Sequence, residues 1–196
     1  MDLAFLLILP GLLWTQSWHL LGFYSSTRAL GIVAVAVAVG LLSVVLFQDK
    51  LELVSETPTG ALLSVGTTIS VFILLWAVYA VLVAGVYLWG LDSRTLGFFG
   101  LSIGLLSALF AAYFFLGGEL LENGDINHVS WLLGTASVLL ALLAGLLFFY
   151  LSFRPPGQGE PPASTMRTIT GWFYLVFSVA IAVLGGLLLL GLNPAL

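Results

Sequence analysis

The hydrophobic pattern divides the chain into six long apolar runs that are separated by short polar stretches. A helix of about 20 apolar residues is long enough to cross a hydrocarbon core about 30 Å thick. The pattern therefore predicts an all-α integral membrane protein that forms a single domain over residues 1–196. The six predicted membrane spans are Leu3–Phe23, Ala29–Gln48, Ser64–Trp89, Leu96–Leu116, Val129–Leu151 and Ile169–Leu192.

The few charged residues lie between these runs or at their ends, and none lies within a run. Five cationic and nine acidic residues make up 7% of the chain. A charge at mid-depth in a membrane is costly and usually functional, so its absence argues against proton pumps and ion-coupled transporters. With a net charge of −4 and no basic cluster, the sequence gives no sign of nucleic-acid binding. No embedded nucleophile, base or metal cluster suggests an enzyme, and with no cysteine there is no thiolate metal site.

The first apolar run is interpreted as a helix of the mature protein and not as a cleaved signal peptide. It opens with Met1 and Asp2, where a signal peptide would have a basic segment. No small-x-small cleavage site precedes Phe23, and the run contains Gln16 and His19, which a plain signal core does not need.

The cations predict the orientation of the chain. By the positive-inside rule, the loops after the first, third and fifth runs are cytoplasmic. Both termini are then extracytoplasmic, and the helices form three hairpins in the cell inner (plasma) membrane. Those three loops contain Arg28, Arg94, Arg154 and Arg167, whereas the opposite side has only Lys50.

A faint internal repeat runs through the same loops. An arginine followed by a glycine precedes or opens every second helix, at Arg28–Gly31, Arg94–Gly97 and Arg167–Gly171. One interpretation is a two-helix unit used three times, and repeats of this kind often enclose a path at their shared centre. The alternative is that each arginine anchors a membrane boundary and each glycine eases a tight turn. Both interpretations predict the same hairpins.

The polar residues within the runs favour a path for a neutral solute. The even-numbered runs, the second, fourth and sixth, have the composition of packing helices, with Gly100 and Gly104 in the fourth forming a small-xxx-small pair. We therefore expect a pore among the odd-numbered helices, with aromatic walls and amide partners. The candidate pore-lining residues are Trp14, Thr15, Gln16, Trp76, Tyr79, Trp131 and Thr135.

Two further features of the odd-numbered runs leave alternatives open. Pro10 deprives the carbonyl of Leu6 of its intrahelical donor, so this oxygen either faces a pore or is satisfied locally. His19 and His128 are predicted at opposite ends of the bundle, so they cannot be the two axial ligands of one haem. Either could hold a cofactor singly or be a hydrogen-bonded structural histidine, and we expect no cofactor.

The stretch Gly90–Phe99 resembles the Leu-Asp-x-Arg turn and aromatic pair of the AmiS/UreI family of amide and urea channels. Weaker similarities are Leu6–Gln16, Asp125–Trp131 and Thr170–Trp172. The resemblance implies six helices as three hairpins with both termini outside. It also implies a homo-oligomeric ring in the lipid bilayer, in which each protomer is a passive channel for small neutral amides such as urea or short aliphatic amides.

The chain departs from the acid-gated urea channel of this family. That channel has acidic residues in its fifth and sixth spans, where this sixth span has Phe177 and Ser178, and its outer loops have histidines, where this chain has only His128. The fifth span keeps a single tryptophan, Trp131. We therefore expect no acid gating. A competing hypothesis is a non-transporting scaffold subunit of a larger membrane complex, which would purify with partner subunits.

The orientation can be tested with reporter tags. Tags at Ser26, Ser93 and Gly159 should report a cytoplasmic location, and tags at Thr57 and Asn123 an external one, because four cations oppose one. Labelling of Thr57 and Ser93 to the same extent from outside would overturn the assignment.

Overall fold

The structure is a computed structural model that describes residues 2–23, 26–52, 65–116, 118–120, 126–128, 131–153 and 165–190. Over these ranges it contains six helices and one short antiparallel pair of strands, β1 (Gly118–Leu120) and β2 (Ile126–His128). The all-α, six-helix class expected from the sequence is confirmed, and the two three-residue strands are an addition to it. The helices are α1 (Asp2–Leu21), α2 (Thr27–Glu52), α3 (Val65–Trp89), α4 (Ser93–Leu116), α5 (Trp131–Ser152) and α6 (Thr165–Leu189).

The helices differ from the predicted spans mainly where they extend into polar sequence. Helix α2 continues past the predicted end at Gln48, and α6 begins before Ile169. Backbone hydrogen bonds hold a helix together, so a helix can extend beyond the apolar run that defines the membrane span. All six are long and apolar enough to cross a membrane.

The helices form a closed ring with three inner and three outer members. Consecutive helices are in contact, and α6 returns to pack against α1. The most extensive packing is within the pairs α2/α3, α4/α5 and α1/α6. The buried share is 56%, 61% and 50% in α1, α3 and α5, but 39%, 33% and 22% in α2, α4 and α6. The odd-numbered helices therefore surround the centre.

The glycines of the internal repeat lie where the paired helices approach most closely. A Cβ atom on Gly31 would lie 2.5 Å from the Cγ of Leu88 in α3. On Gly97 it would lie 2.6 Å from the Oγ of Ser152 in α5, and on Gly171 2.9 Å from the side chain of Leu21 in α1. Each even-numbered helix thus begins against the end of its odd-numbered partner. The repeat reflects helix packing, which in membranes favours small residues at contacts.

Two other glycines end the inner helices. Gly22 follows α1 with a φ of +79°, and Gly90 follows α3 with a φ of +69°. These left-handed conformations are costly for residues with a Cβ, which explains glycine just after a helix. The glycines that ease the turns are therefore not those of the repeat.

The arginines of the repeat make different contacts. The guanidinium of Arg167 donates from Nε to the carbonyl of Leu20 (2.8 Å) and from Nη2 to that of His19 (2.9 Å). It thereby binds carbonyls of the last turn of α1, which a helix end leaves short of intrahelical donors; the carbonyl of His19 also accepts from the backbone N–H of Gly22 at 3.2 Å. Arg94 instead pairs with Asp92, donating from Nη2 at 2.8 Å and from its backbone N–H at 3.0 Å. The side-chain and backbone hydrogen bonds from Arg94 lower the pKa of the exposed Asp92 carboxyl.

The carbonyl of Leu6, which Pro10 leaves without its usual donor, lies at the contact between α1 and α6. A Cβ atom on Gly185 would be 3.1 Å from this oxygen and 3.2 Å from its carbonyl carbon. This oxygen therefore lies against the backbone of α6, which argues against the alternative that it faces a pore.

Neighbouring glycines in α6 provide a matched test of this contact. We expect Gly185→Ala to destabilise the protein by about 1–3 kcal/mol, because its Cβ would overlap backbone atoms of Leu6 that cannot rotate away. Gly186→Ala should leave stability unchanged or slightly higher, since nothing lies within 4 Å of the added atom. Thermal unfolding in detergent measures both variants. Equal losses for the two would contradict the assigned contact.

Candidate functional site

A hydrogen-bonded polar cluster lies in the middle of the bundle. It consists of Gln16 from α1, Tyr79 from α3 and Tyr174 from α6, which are exposed by 4%, 1% and 1%. The Tyr79 hydroxyl donates to Oε1 of Gln16 at 3.1 Å, and the two tyrosine hydroxyl oxygens are 3.2 Å apart. Two inner helices and one outer helix are thus joined through polar side chains in an otherwise apolar interior.

The direction of these hydrogen bonds follows from the number of protons available. Tyr79 has a single hydroxyl proton, and it points to the carbonyl oxygen of Gln16. Tyr174 must therefore be the donor in the bond between the two tyrosines. The resulting chain runs from Tyr174 through Tyr79 to Gln16. It uses neither the two amide N–H donors of Gln16 nor the lone pairs of the Tyr174 oxygen.

Trp76 adds a further donor beside this cluster. Its ring lies edge-on to that of Tyr79, with centroids 5.2 Å apart, and its side chain is 1% exposed. Among the described residues its buried Nε1 has no hydrogen-bond partner. A buried donor without a partner costs about 1–3 kcal/mol, and such a group calls for an explanation. A solute with a carbonyl oxygen would supply the missing acceptor.

Aromatic rings fill the interior on the side toward the start of α1. Phe72 lies at centroid distances of 5.3 Å from Phe5, 4.8 Å from Phe110 and 6.2 Å from Phe114. Phe5, Phe72 and Phe114 are each at most 1% exposed. An ion crossing this layer would lose its hydration without gaining a counter-charge. The described buried residues include no Asp, Glu, Lys or Arg that could stabilise such an ion.

Three of the seven predicted pore-lining residues come together, namely Gln16, Trp76 and Tyr79. Trp14 and Thr15 lie on other faces of α1, because neighbouring helical residues point about 100° apart. Trp14 is 40% exposed and packs on Trp18 at 6.0 Å. The Thr15 hydroxyl donates to the carbonyl of Gly11 at 2.8 Å.

The two residues predicted in α5 lie in its first turns. Trp131 and Thr135 are both half-buried, and the Nε1 of Trp131 is buried without a hydrogen-bond partner among the described residues. In the part of the chain that the structure describes, neither residue shares a hydrogen bond or ring contact with the cluster. Their role as pore-lining residues stays a prediction.

Tyr174 is the member of the cluster that the sequence analysis missed. Helix α6 was expected to be a packing element, but its buried face carries three polar residues four positions apart, Thr170, Tyr174 and Ser178. That spacing was the available signal. The buried residues of α6 are Thr170, Gly171, Tyr174, Ser178, Ile181 and Gly185.

Of the two histidines, His19 is the one whose side chain the structure describes. The ring of His19 is 7% exposed and lies edge-on to Tyr87 at 5.0 Å. His128 belongs to β2, and its side chain is outside the described part of the structure. The described residues contain no group of three or more His, Cys, Asp or Glu residues that could hold a metal ion.

A separate groove runs along the outer surface between α1 and α6. It has a volume of about 450 Å³ and a mostly apolar lining. Several of its side chains face outward, including Leu7 at 44% and Val183 at 55% exposed. The residues that line it are Leu7, Pro10, Gly11, Trp14, Ser178, Val179, Ala182 and Val183.

Comparison with solved structures identifies the fold. The chain is similar to the urea channel from the human gastric pathogen Helicobacter pylori, with a TM-score of 0.72 over 97% of this chain and 98% of that one. The two sequences are 13% identical, so the likeness establishes the fold. It confirms the resemblance to a urea-channel fold expected from the sequence. No family model and no curated protein matches the chain by sequence.

The hydrogen bonds that link Tyr174, Tyr79 and Gln16 can be tested by measuring the free energy of unfolding of variants. Tyr79→Phe removes the central hydroxyl and leaves the Gln16 carbonyl and the Tyr174 hydroxyl without their partners, so we expect a loss of about 1–3 kcal/mol. Tyr113→Phe in α4, where no such chain exists, should change stability by less than about 0.5 kcal/mol.

A double-mutant cycle of Tyr79→Phe with Gln16→Leu should give a coupling energy of at least about 0.5 kcal/mol, measured by unfolding in detergent. Strict additivity of the two losses would show that the two side chains do not interact.

Proposed function

We propose that this protein is a passive membrane channel for small neutral amides such as urea or short aliphatic amides. The observation that carries the proposal is the buried chain of Tyr174, Tyr79 and Gln16, which lies in an interior whose described buried residues include no Asp, Glu, Lys or Arg. Packing alone does not require these polar groups, whereas an amide solute does.

The cluster matches the two sides of an amide. The solute's carbonyl oxygen would accept from the Nε2 group of Gln16 and from Nε1 of Trp76, which lacks a partner among the described residues. Its N–H groups would donate to the oxygen of Tyr174. Aromatic rings would confine the flat molecule on the side of Phe72. Such a path requires no energy source and no cofactor.

The similarity to a urea channel over nearly the whole of both chains supports this proposal. As the family resemblance described in the sequence analysis implies, we propose a homo-oligomeric ring in the lipid bilayer with a separate path through each protomer. We further propose the inner (plasma) membrane as its location and extracytoplasmic termini, which the distribution of arginines favours.

The scaffold hypothesis retains one specific observation in its favour. The described interior is tightly packed, and Phe72, Trp76, Tyr79 and Tyr174 are each about 1% exposed. A scaffold requires no opening, whereas a channel must open between these rings. Transport measurements on the purified protein distinguish the two functions.

The proposed function predicts solute flux in proteoliposomes. Urea or acetamide should enter faster than into empty vesicles, independently of ion gradients, and with little change between acid and neutral pH. We expect the weak pH dependence because no carboxylate belongs to the described cluster. Flux no higher than in empty vesicles would favour the scaffold, and a steep rise on acidification would show a gating group elsewhere.

Two variants separate the polar contact from packing in this assay. Gln16→Leu keeps a similar length but removes two donors and an acceptor, so urea flux should fall roughly tenfold for a barrier higher by about 1.4 kcal/mol. Leu42→Met in α2 conserves volume and should leave flux within about a factor of two. Parental flux in the Gln16 variant would exclude this residue as a solute contact.

A further inference from the structure

The three repeats of the bundle can be aligned through their glycine contacts. Gly171 meets Leu20 and Leu21 of α1, Gly97 meets Leu151 and Ser152 of α5, and Gly31 meets Leu88 of α3. The pairs α6/α1, α2/α3 and α4/α5 are therefore equivalent units. Leu21, Leu88 and Ser152 occupy one position, which fixes the register of the inner helices.

The outer helices have the same buried positions in this alignment. Counted from the repeat glycine, residues 3, 7, 10 and 14 are buried in all three outer helices. The third residue after the glycine is Ala34 in α2, Gly100 in α4 and Tyr174 in α6. The bulky tyrosine thus occupies a position where the other two units have the smallest side chains.

The inner helices deviate at the remaining cluster residues. Tyr79 corresponds to Leu12 and Leu143, and all three are at most 1% exposed. Trp76 corresponds to Leu9 and Leu140 in the same way. Gln16 corresponds to Val83 and Leu147. Aliphatic residues suffice for packing at these depths in the other units, so the polar and aromatic substitutions serve another purpose.

Resting on the channel function proposed above, we propose that Tyr174 is the specificity-determining residue that closes the interior and sets the largest solute admitted. Its ring crosses from an outer helix to the centre, where its hydroxyl lies 3.2 Å from that of Tyr79. A residue such as Ala34 or Gly100 at this position could not bridge that gap.

The hydroxyl pair also accounts for passage of an amide. As the solute leaves its contacts with Gln16 and Trp76 and passes between the two tyrosines, its carbonyl oxygen accepts from the Tyr174 hydroxyl and its N–H groups donate to the Tyr79 oxygen. The hydrogen bond between the tyrosines breaks as these two form, and it forms again when the solute leaves. A longer amide has the same polar groups but cannot fit between the two rings.

A size series of amides tests the proposal by stopped-flow measurements on proteoliposomes. In Tyr174→Ala, the ratio of butyramide to urea flux should rise at least about tenfold over the parent. Tyr174→Phe keeps the ring and should keep the parental ratio, although its urea flux changes. Tyr113→Ala is the matched control, because it shortens a tyrosine of α4 outside the cluster, and it should also keep the parental ratio.

A second measurement tests the closure without relying on amide transport. The chain has no cysteine, so Val83→Cys introduces a single thiol at a buried position of α3, one turn beyond Tyr79. A small neutral reagent, methyl methanethiosulfonate, should label this thiol at least about tenfold faster when Tyr174→Ala is also present. Adding Tyr113→Ala should leave the labelling rate unchanged.

The two measurements distinguish a failure of the proposed channel function from a failure of the proposed role of Tyr174. If no variant conducts urea but Tyr174→Ala accelerates labelling, the channel function is wrong and the closure by Tyr174 stands. If Tyr174→Ala elutes as a folded protein with the parental flux ratio and labelling rate, the proposal is overturned. An equal rise of the butyramide-to-urea flux ratio in Tyr113→Ala would also overturn the proposal, because a general loosening of the bundle would then explain the effect.

Discussion

The close approach of helix backbones at glycine is the constraint on which the rest of the structure depends. In a membrane, lipid tails are as apolar as the helix surfaces, so van der Waals packing has to hold the helices together. Gly31, Gly97 and Gly171 allow each outer helix to start directly against the end of an inner one. The resulting three pairs form the ring and determine which side chains reach its centre.

The centre is where the three units cease to be alike. At each position of the cluster two units have an aliphatic or small residue and the third deviates, so that the unit α6/α1 contributes Tyr174 and Gln16 and the unit α2/α3 contributes Tyr79. Tyr174 from one outer helix, Tyr79 from a second unit and Gln16 from α1 meet because the ring places them at similar depths. The packing that the three units share thus forms the framework of the bundle, and the residues at which one unit differs from the other two form the polar cluster.

Most of the fold could be predicted from the sequence, because uninterrupted apolar length decides whether a helix can span a membrane. The site was predictable only in part. Gln16, Trp76 and Tyr79 were identifiable as polar or aromatic residues in inner helices, and they do meet. The rotation of α1 excludes Trp14 and Thr15 from the cluster, and hydropathy does not fix that rotation. Tyr174 was missed because its partner is 95 residues away in the chain.

The hydrogen bonds between Arg167 and the end of α1 have a consequence for biosynthesis of the protein. The Arg167 guanidinium donates to the carbonyls of His19 and Leu20, so α1 and α6 are held together by noncovalent contacts between segments far apart in the chain. The ribosome completes α1 long before α6, and until then those carbonyls lack this partner. The ring therefore cannot close during insertion of the first five helices. Arrival of α6 completes both the Arg167 hydrogen bonds and the central tyrosine pair, which makes a chain that contains α6 structurally distinguishable from one in which α6 has not yet been made.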